Sequence, residues 1–451
     1  MEKPDLQQED PELYAILKKE ETKQQEKITL IPSENFASKA IQEAVGSVFM
    51  NKYSEGYPGK RYYEGNYFID ELETLTIERV KQAFHLPNDW AVNVQALSGS
   101  AANLAVYLGL LEPGDTVMGM YLPDGGHLSH GWSYEPEEIQ DPNNLVYTGG
   151  SRKVNITSRF WHVVQYKTNP NTQQFDYAEI EKIAQKHKPK LLITGGTAYP
   201  REIDYQKMSA IAKGVGAYYL ADIAHEAGLV AAGVNQSPVG IADVVTLTTH
   251  KTLRCNRGAI ILSKKECMKK IDRAIFPGLQ GGPHNHSIAG IAVGLREAMT
   301  PAFRTYAEQI VQNARALAAA LFTYDFHIIS GGTDKHLVLI DLTNKQVFGK
   351  KYARALDYAG IIANMNTMPQ ETRSPADPSA LRIGTPSVTT RGMKEKEMTT
   401  IAEWMNRVMD ITQPWNALDF ESFETHVRQS EKIQKIAEEV KTLCKIYPFD
   451  I

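Results

Sequence analysis

Lys251 sits in the stretch VVTLTTHKTLRCNRGAIIL, residues 244–262, just past an apolar run of strand length and beside His250. Most lysines are solvated surface groups. An amine at the end of a buried strand, among Thr248, Thr249 and His250, has a second prospect: poorly hydrated, it loses its proton more readily and attacks carbonyls to form a Schiff base. Asp222, in LADIAHEAG, ends another apolar run, and His225 follows three residues later. Such an aspartate commonly caps the next helix. If it is buried and faces a pyridine nitrogen, it instead keeps that ring protonated and makes it an electron sink. The lysine and the aspartate are about one β–α unit apart, so both can reach one crevice. That pairing is what pyridoxal phosphate chemistry requires.

Other segments gain meaning beside this pair. In LSGSAANLAVYLGLL, Ser98, Gly99 and Ser100 precede an apolar helix. They form either an ordinary Ser/Gly cap or a phosphate cup built from free N–H groups and two hydroxyls. GLQGGPHNH is either a flexible connection or a second approach to the same phosphate. His127, behind two glycines in PDGGHLSHG, has a flat ring able to stack on a planar ligand. Arg382, in ALRIGTP, suits a salt bridge or a bidentate clamp on a substrate carboxylate. In NKYSEGYPGKRYYEGN, a Pro–Gly turn is ringed by tyrosines, Glu55 and basic residues. Glu55 suits proton handling, with Tyr53, Tyr62 and Tyr63 as walls and hydroxyl donors; an interface loop is the rival reading.

The elements that must position these groups follow from periodicity. Between about residues 90 and 290, short apolar runs alternate with helical stretches, which predicts a parallel or mostly parallel sheet covered on both faces. Ligands collect at the carboxyl ends of such strands, where Thr197, Asp222, His225, His250 and Lys251 all fall. Asp10 and Pro11 open a helix that runs to about Lys27, with Leu13, Ile16 and Leu17 on one side. Residues 131–155 are polar and rich in turn formers, which predicts a surface loop with a hairpin. After about residue 300, long helices precede short strands, as in an α+β unit. Ile433, Ile436, Val440 and Leu443 give the last helix one apolar side. The expected division is an N-terminal arm (1–45), a large α/β domain (46–295) and a C-terminal α+β domain (296–451).

Composition limits the function classes. The 451-residue chain is 42% hydrophobic and 23% charged, with a formal net charge of -4. That argues against a general nucleic-acid or anionic-membrane surface. Cys255, Cys267 and Cys444 show no metal-ligand spacing and no paired framework. No metal is expected, and a reducing, cytoplasmic setting is. The first residues are too charged for a signal peptide, and no apolar run approaches the roughly 20 residues of a membrane span.

The motifs TTHKTLR, YSEGYPGKRYYEGN, PSENF, LSGSAAN, GGHLSHG, AHEAGLVAAGV, PGLQGGP and RIGTPSVTTRG together resemble the serine hydroxymethyltransferase family, in the family's order and from about residue 10 onward. The resemblance implies a type I pyridoxal-phosphate fold. Lys251 would carry the cofactor as a Schiff base, Asp222 would pair with its ring nitrogen, and His127 would stack on the ring. Ser98, Gly99 and Ser100 would hold the phosphate, with Gly282 supplied by a neighbouring subunit. Thr197 and His225 would bond the ring oxygen or the substrate, with Thr248, His250 and Arg257 beside the lysine. Arg382 and Ser33 would bind the amino-acid carboxylate. Glu55, Tyr53 and Tyr63 would act on the serine hydroxyl across the interface of an obligate homodimer or a tetramer. Tetrahydrofolate, the co-substrate, would contact Glu55, Tyr62, Leu122, Gly126, Leu128, Asn366 and the turn at Ser374. Two alternatives remain: a folate-independent aldolase for β-hydroxy amino acids on the same fold, which would not need the YSEGYPGKRYY loop, and a catalytically poor cofactor-binding paralogue, which the Cys255-Asn256 pair and the 131–155 segment motivate.

Several positions depart from the family pattern. Cys255 and Asn256 stand where a Gly-Pro pair is usual, which predicts strain at Cys255 and an oxidisable thiol near the lysine. Gln95, Ala96 and Leu97 replace Gln-Pro-His/Tyr. Pro32, Thr197 and Met365 are further substitutions, and residues 131–155 resemble an insertion.

Overall fold

The computed structural model describes residues 5–134 and 144–449. Its largest sheet has eight strands: β1 (Trp90–Asn93), β2 (Thr116–Met120), β3 (Val146–Tyr147), β4 (His162–Tyr166), β5 (Leu191–Thr194), β6 (Tyr218–Asp222), β7 (Val244–Thr248) and β8 (Ala259–Lys264). Their order is β1-β8-β7-β6-β5-β2-β4-β3. The run from β7 to β4 is parallel, and β8 and β3 flank it antiparallel. Every residue of β5 and β7 is buried, because helices cover both faces. The strand period of two still operates: Leu192, Val245 and Leu247 face one core, while Leu191, Ile193 and Val244 face another.

A second sheet contains β9 (His327–Ile328), β10 (Leu337–Asp341), β11 (Asn364–Asn366) and β12 (Ala380–Gly384), in the order β9-β10-β12-β11. It has a core of its own, built from residues such as Val338, Ile340, Leu381 and Ile383. Ile28–Thr29 pairs in parallel with Ile361–Ile362, and Ile28 and Leu30 are fully buried in that second core. The expected 1–45 segment is therefore partly built into the C-terminal unit.

Helix α1 (Pro11–Glu26) starts as expected, with Asp10 accepting from the Leu13 N–H and Pro11 in the first turn. It buries none of its residues, and Leu13, Ile16 and Leu17 face outward. Helix α2 (Tyr67–Ala83) backs the tyrosine-rich loop, and α3 (Gly99–Leu110) starts at the site. Helix α4 (Asn285–Ala298) packs beside α2. Helix α5 (Pro301–Thr323) joins the two bodies: Phe303, Ile310 and Val311 enter the first core, Leu317 and Leu321 the second. In the last helix, Glu431–Ile446, Ile433, Ile436 and Val440 are buried as the spacing predicts, but Cys444 rather than Leu443 completes the stripe. Ser133–Tyr134 pairs with Arg152–Lys153 at the base of the expected hairpin; residues 135–143 lie outside the described part. No helix among the described residues is long and apolar enough to cross a membrane.

Candidate active site

The carboxyl ends of β5, β6 and β7 and the start of α3 surround a crevice of about 450 Å³, within the range of small-molecule sites. Ser33, Ser98, Gly99, Ser100, His127 and Thr197 line it. So do Asp222, His225, Thr248, His250, Lys251, Arg257 and Arg382, together with Glu34 and Gly196. The chain approaches itself closely here. A Cβ on Gly99 would sit 2.7 Å from Thr248 Cγ2. Gly195 has φ +129°, and a Cβ there would sit 2.2 Å from the Asp222 carbonyl oxygen.

Lys251 is 9% exposed, and its amine makes no hydrogen bond or ion pair among the described residues. Burial pulls its pKa down to about 8; Asp222 opposes this, while Arg382 and Arg257 add to it. Its carbonyl accepts from Asn35 Nδ2 at 2.9 Å, which fixes the turn.

Asp222 Oδ2 accepts from Asn103 Nδ2 at 2.8 Å and meets His130 Nε2 at 3.0 Å. Thr246 Oγ1 in turn donates to Asn103 Oδ1 at 2.6 Å, orienting the amide. Burial would raise the carboxyl; the bonds from His130 and Asn103 and the neighbouring imidazoles outweigh it and hold Asp222 well below the usual carboxylate range. Asp222 Oδ1 also accepts from the Ala224 N–H at 3.0 Å, so the capping role is present too. The possible ligand atoms of His127, His130 and Asp222 lie within 4.8 Å of one another. The hydrogen bonds among Asp222, His130 and Asn103, and between His127 Nδ1 and Ser129, account for that closeness.

Burial lowers His127 to about 4 and His250 to about 3, so both rings are neutral at ordinary pH. Arg382 lies within β12, and burial lowers it to about 10. Its Nη1 donates to the Thr197 carbonyl at 2.6 Å and its Nε to Asn364 Oδ1 at 3.1 Å, while Nη2 has no protein partner among the described residues. Thr197 Oγ1 donates to the Gly126 carbonyl at 3.2 Å.

A second constellation does not line this crevice within one chain. Tyr53 and Tyr63 meet edge to face at 5.3 Å, and the Tyr53 hydroxyl is 3.4 Å from Glu55 Oε1. The Glu55 carboxylate raises the Tyr63 phenol. Gly281 and Gly282 press against Glu55 and Tyr53, so close that a Cβ on Gly282 would sit 3.1 Å from the Tyr53 ring. Tyr53, Tyr62 and Tyr63 are largely exposed. The loop is nonetheless fixed from below. Arg61 donates to the Ser54 and Gly56 carbonyls and pairs with Asp70 and Glu73, and Gln95 Nε2 joins Glu73 and Gly56. Of the expected folate contacts, Gly126 adjoins the crevice through Thr197. Leu128 is half exposed beside His127, and Leu122 packs with Tyr121, Trp132 and Tyr147. Asn366 ends β11, and Ser374 sits in a turn closed by Asp377 N–H donating to its carbonyl at 2.8 Å.

Two expectations at the lysine loop need correction. The left-handed conformation falls on Arg254 (φ 60°), not on Cys255. Cys255 is buried against Gly294 of α4, its Sγ directed at that helix, and burial raises its thiol pKa far above the ordinary value. Such a thiol is inert rather than oxidation-prone. The sequence does not single out Asn103, His130 or His336. An amide inside the apolar face of α3 was the available signal for Asn103, and the second histidine of GGHLSHG for His130.

A buried, partner-free lysine amine, a carboxylate held charged and a helix N-terminus in one crevice fit pyridoxal phosphate. The buried His250 Nδ1, which has no partner among the described residues, points the same way. On a mostly parallel sheet, these features define a pyridoxal-phosphate-dependent enzyme of fold type I. The serine hydroxymethyltransferase family model matches residues 6–405. The chain is 49% identical to the serine hydroxymethyltransferase of Acidothermus cellulolyticus over 97% of its own length and 95% of that protein's. It is 49% identical to that of Sorangium cellulosum (98% and 96%) and 47% identical to that of Desulfotalea psychrophila (98% and 95%). The chain belongs to the serine hydroxymethyltransferase family. Its cofactor is pyridoxal phosphate, its co-substrate is tetrahydrofolate, and its reaction interconverts serine and glycine.

Proposed function

We propose that this chain runs serine hydroxymethyl transfer in the crevice around Lys251, with roles divided as follows. Pyridoxal phosphate, when bound, supplies an aldehyde and an electron-withdrawing ring that accepts the electron pair of the broken Cα–hydroxymethyl bond. Lys251 offers the attacking amine, which is nucleophilic because it is poorly hydrated. Ser98, Gly99 and Ser100 hold the phosphate with the free N–H groups of α3 and two hydroxyls. Asp222, held charged by His130 and Asn103, keeps a proton on the ring nitrogen. His127, neutral and flat, covers one ring face. Thr197, His225, Thr248 and His250 bond the polar edge. Arg382 binds the serine carboxylate through its free Nη2, with Ser33 beside it, and Arg257 supports the site near Lys251.

Glu55, Tyr53 and Tyr63 manage the proton of the serine hydroxyl, and Gly282 closes over the phosphate, each in the crevice of a second copy of the chain. The exposure of Tyr53 and Tyr63 and the absence of all three residues from the lining of their own chain's crevice support this shared arrangement, as does the outward apolar side of α1. Tyr62, Leu122, Gly126, Leu128, Asn366 and Ser374 contact tetrahydrofolate around the mouth. A homodimer is thus the smallest complete unit. The arm–large–small division at 45/46 and 295/296, with Ile28 and Leu30 of the arm seated in the small domain's core, and a cytoplasmic location complete the reading, the latter supported by three unpaired cysteines.

The observation that carries the proposal is Lys251, buried and free, in one crevice with a charged Asp222. Absorption spectra of the holoenzyme with glycine, before and after tetrahydrofolate is added, test it: a new long-wavelength band that needs the folate is expected. Cleavage of β-hydroxy amino acids at the same rate with and without tetrahydrofolate would point to an aldolase instead.

A further inference from the structure

Behind His225 lies a buried ion pair that the reaction itself does not call for. Glu226 pairs with Lys335, and their side chains are only 5% and 6% exposed. The Tyr205 hydroxyl donates to Glu226 Oε1 at 2.8 Å, which fixes the carboxylate from the other side. The two charged residues are the chain neighbours of two stacked histidines. His225 Nδ1 and His336 Nε2 are 3.2 Å apart, with ring centroids at 5.4 Å. His225 and Glu226 follow β6 of the large sheet; Lys335 and His336 lead into β10 of the second sheet. The His336 carbonyl accepts from the Thr385 N–H at 3.0 Å, beside the strand that carries Arg382. The second sheet is therefore clamped to the crevice at one point by an ion pair and a ring pair in register.

A buried ion pair is a weak source of stability, because desolvation offsets most of the attraction, and two apolar side chains of similar volume hold a fold at least as well. What the charges add is a single geometry. We propose that Glu226 and Lys335 are positioning residues that hold the His225 ring against His336 and so aim it into the crevice. This rests on the assignment of His225 to the site.

The test uses the holoenzyme carrying Glu226→Met together with Lys335→Met, which removes both charges and leaves neither unpaired. Three quantities are read: the melting temperature, kcat and KM for serine, and the histidine ring N–H signals by NMR of nitrogen-labelled protein. The expected result is an intact fold with kcat down about a hundredfold, as for a misplaced catalytic group. KM for serine should stay within about twofold, and the ring N–H shared by His225 and His336 should lose its protection from exchange. Parental kcat, or a still-protected ring N–H, overturns the proposal. Loss of the fold in the double variant does so too, since the pair would then be structural. A parallel His225→Asn variant with unchanged kcat would overturn the site reading beneath it, an outcome distinct from failure of the pair alone.

Discussion

His130 Nε2 lies 3.0 Å from Asp222 Oδ2, on a ring with no solvent exposure. With the Asn103 amide on the same oxygen, this contact keeps ionised a carboxylate whose side chain is only 8% exposed. Without it, burial would favour the neutral acid. The charge proposed to face the pyridine nitrogen is thus set by two residues that do not themselves line the crevice.

Asp222→Asn keeps the shape and removes the charge. The expected loss is about 10²–10³ in kcat, the size seen when one preorganised electrostatic group is removed, with cofactor still bound. Steady-state kinetics alongside the cofactor-to-protein ratio checks it; a loss below tenfold would refute the pairing with the ring.

Lys251→Ala should abolish covalent attachment. After borohydride reduction, the parent should gain the mass of the cofactor and the variant should gain none. An equal gain in both would move the attachment point elsewhere.

The Lys251 pKa of about 8 sets a pH dependence for loading cofactor-free protein. Below that pH the amine is protonated and inert; above it the free amine attacks. The rate constant for attachment should therefore rise through an apparent pKa near 8, well under the roughly 10.4 of an ordinary lysine. Arg257→Met removes a nearby positive charge and should move the inflection upward. Stopped-flow absorbance from pH 6 to 10 would reveal both effects; a rise centred near 10 in the parent would contradict them.

Much of this centre was legible from strand ends alone. Lys251, Asp222, Thr197 and the Ser98–Ser100 cap each follow or end an apolar run, and a parallel sheet brings such positions together whatever lies between them. The supporting groups were not legible, because topology alone decides what they meet. Asn103 and Asp222 are 119 residues apart, and His225 and His336 are 111 apart; neither spacing carries a period. The lysine loop differs from its sequence expectation for another reason. Replacing a glycine with Cys255 suggested strain there, whereas the backbone takes its left-handed turn at Arg254.

Glu55→Gln tests the second constellation. Because Glu55 lies outside its own chain's crevice, the variant should bind cofactor normally and lose folate-dependent serine cleavage by about 10²–10⁴, the range for a general acid–base group. Mixing it with Lys251→Ala subunits adds a sharper test. If the sites are shared, hybrid dimers contain one crevice with both groups intact, and activity should return in the mixture. No recovery after verified subunit exchange would place Glu55 and Lys251 in the same chain's site.

Cys255 and Gly294 are matched in size. A Cβ added at Gly294 would lie 2.1 Å from Cys255 Sγ, inside the buried contact between the lysine loop and α4. Gly294→Ala gains helix propensity, about 1 kcal/mol, but meets a thiol with nowhere to go, and overpacking of this kind costs about 1–3 kcal/mol. The single variant should therefore be less stable than the parent. Cys255→Gly alone should also destabilise, since it empties a buried volume and frees the loop backbone. Combined, the two changes exchange which side carries the extra atoms, so the pair should be more stable than the sum of the single effects implies. Urea melts of all four proteins measure that coupling. Strict additivity would mean that the loop and the helix are not in contact through this thiol, and the fixed placement of Lys251 would then need another support.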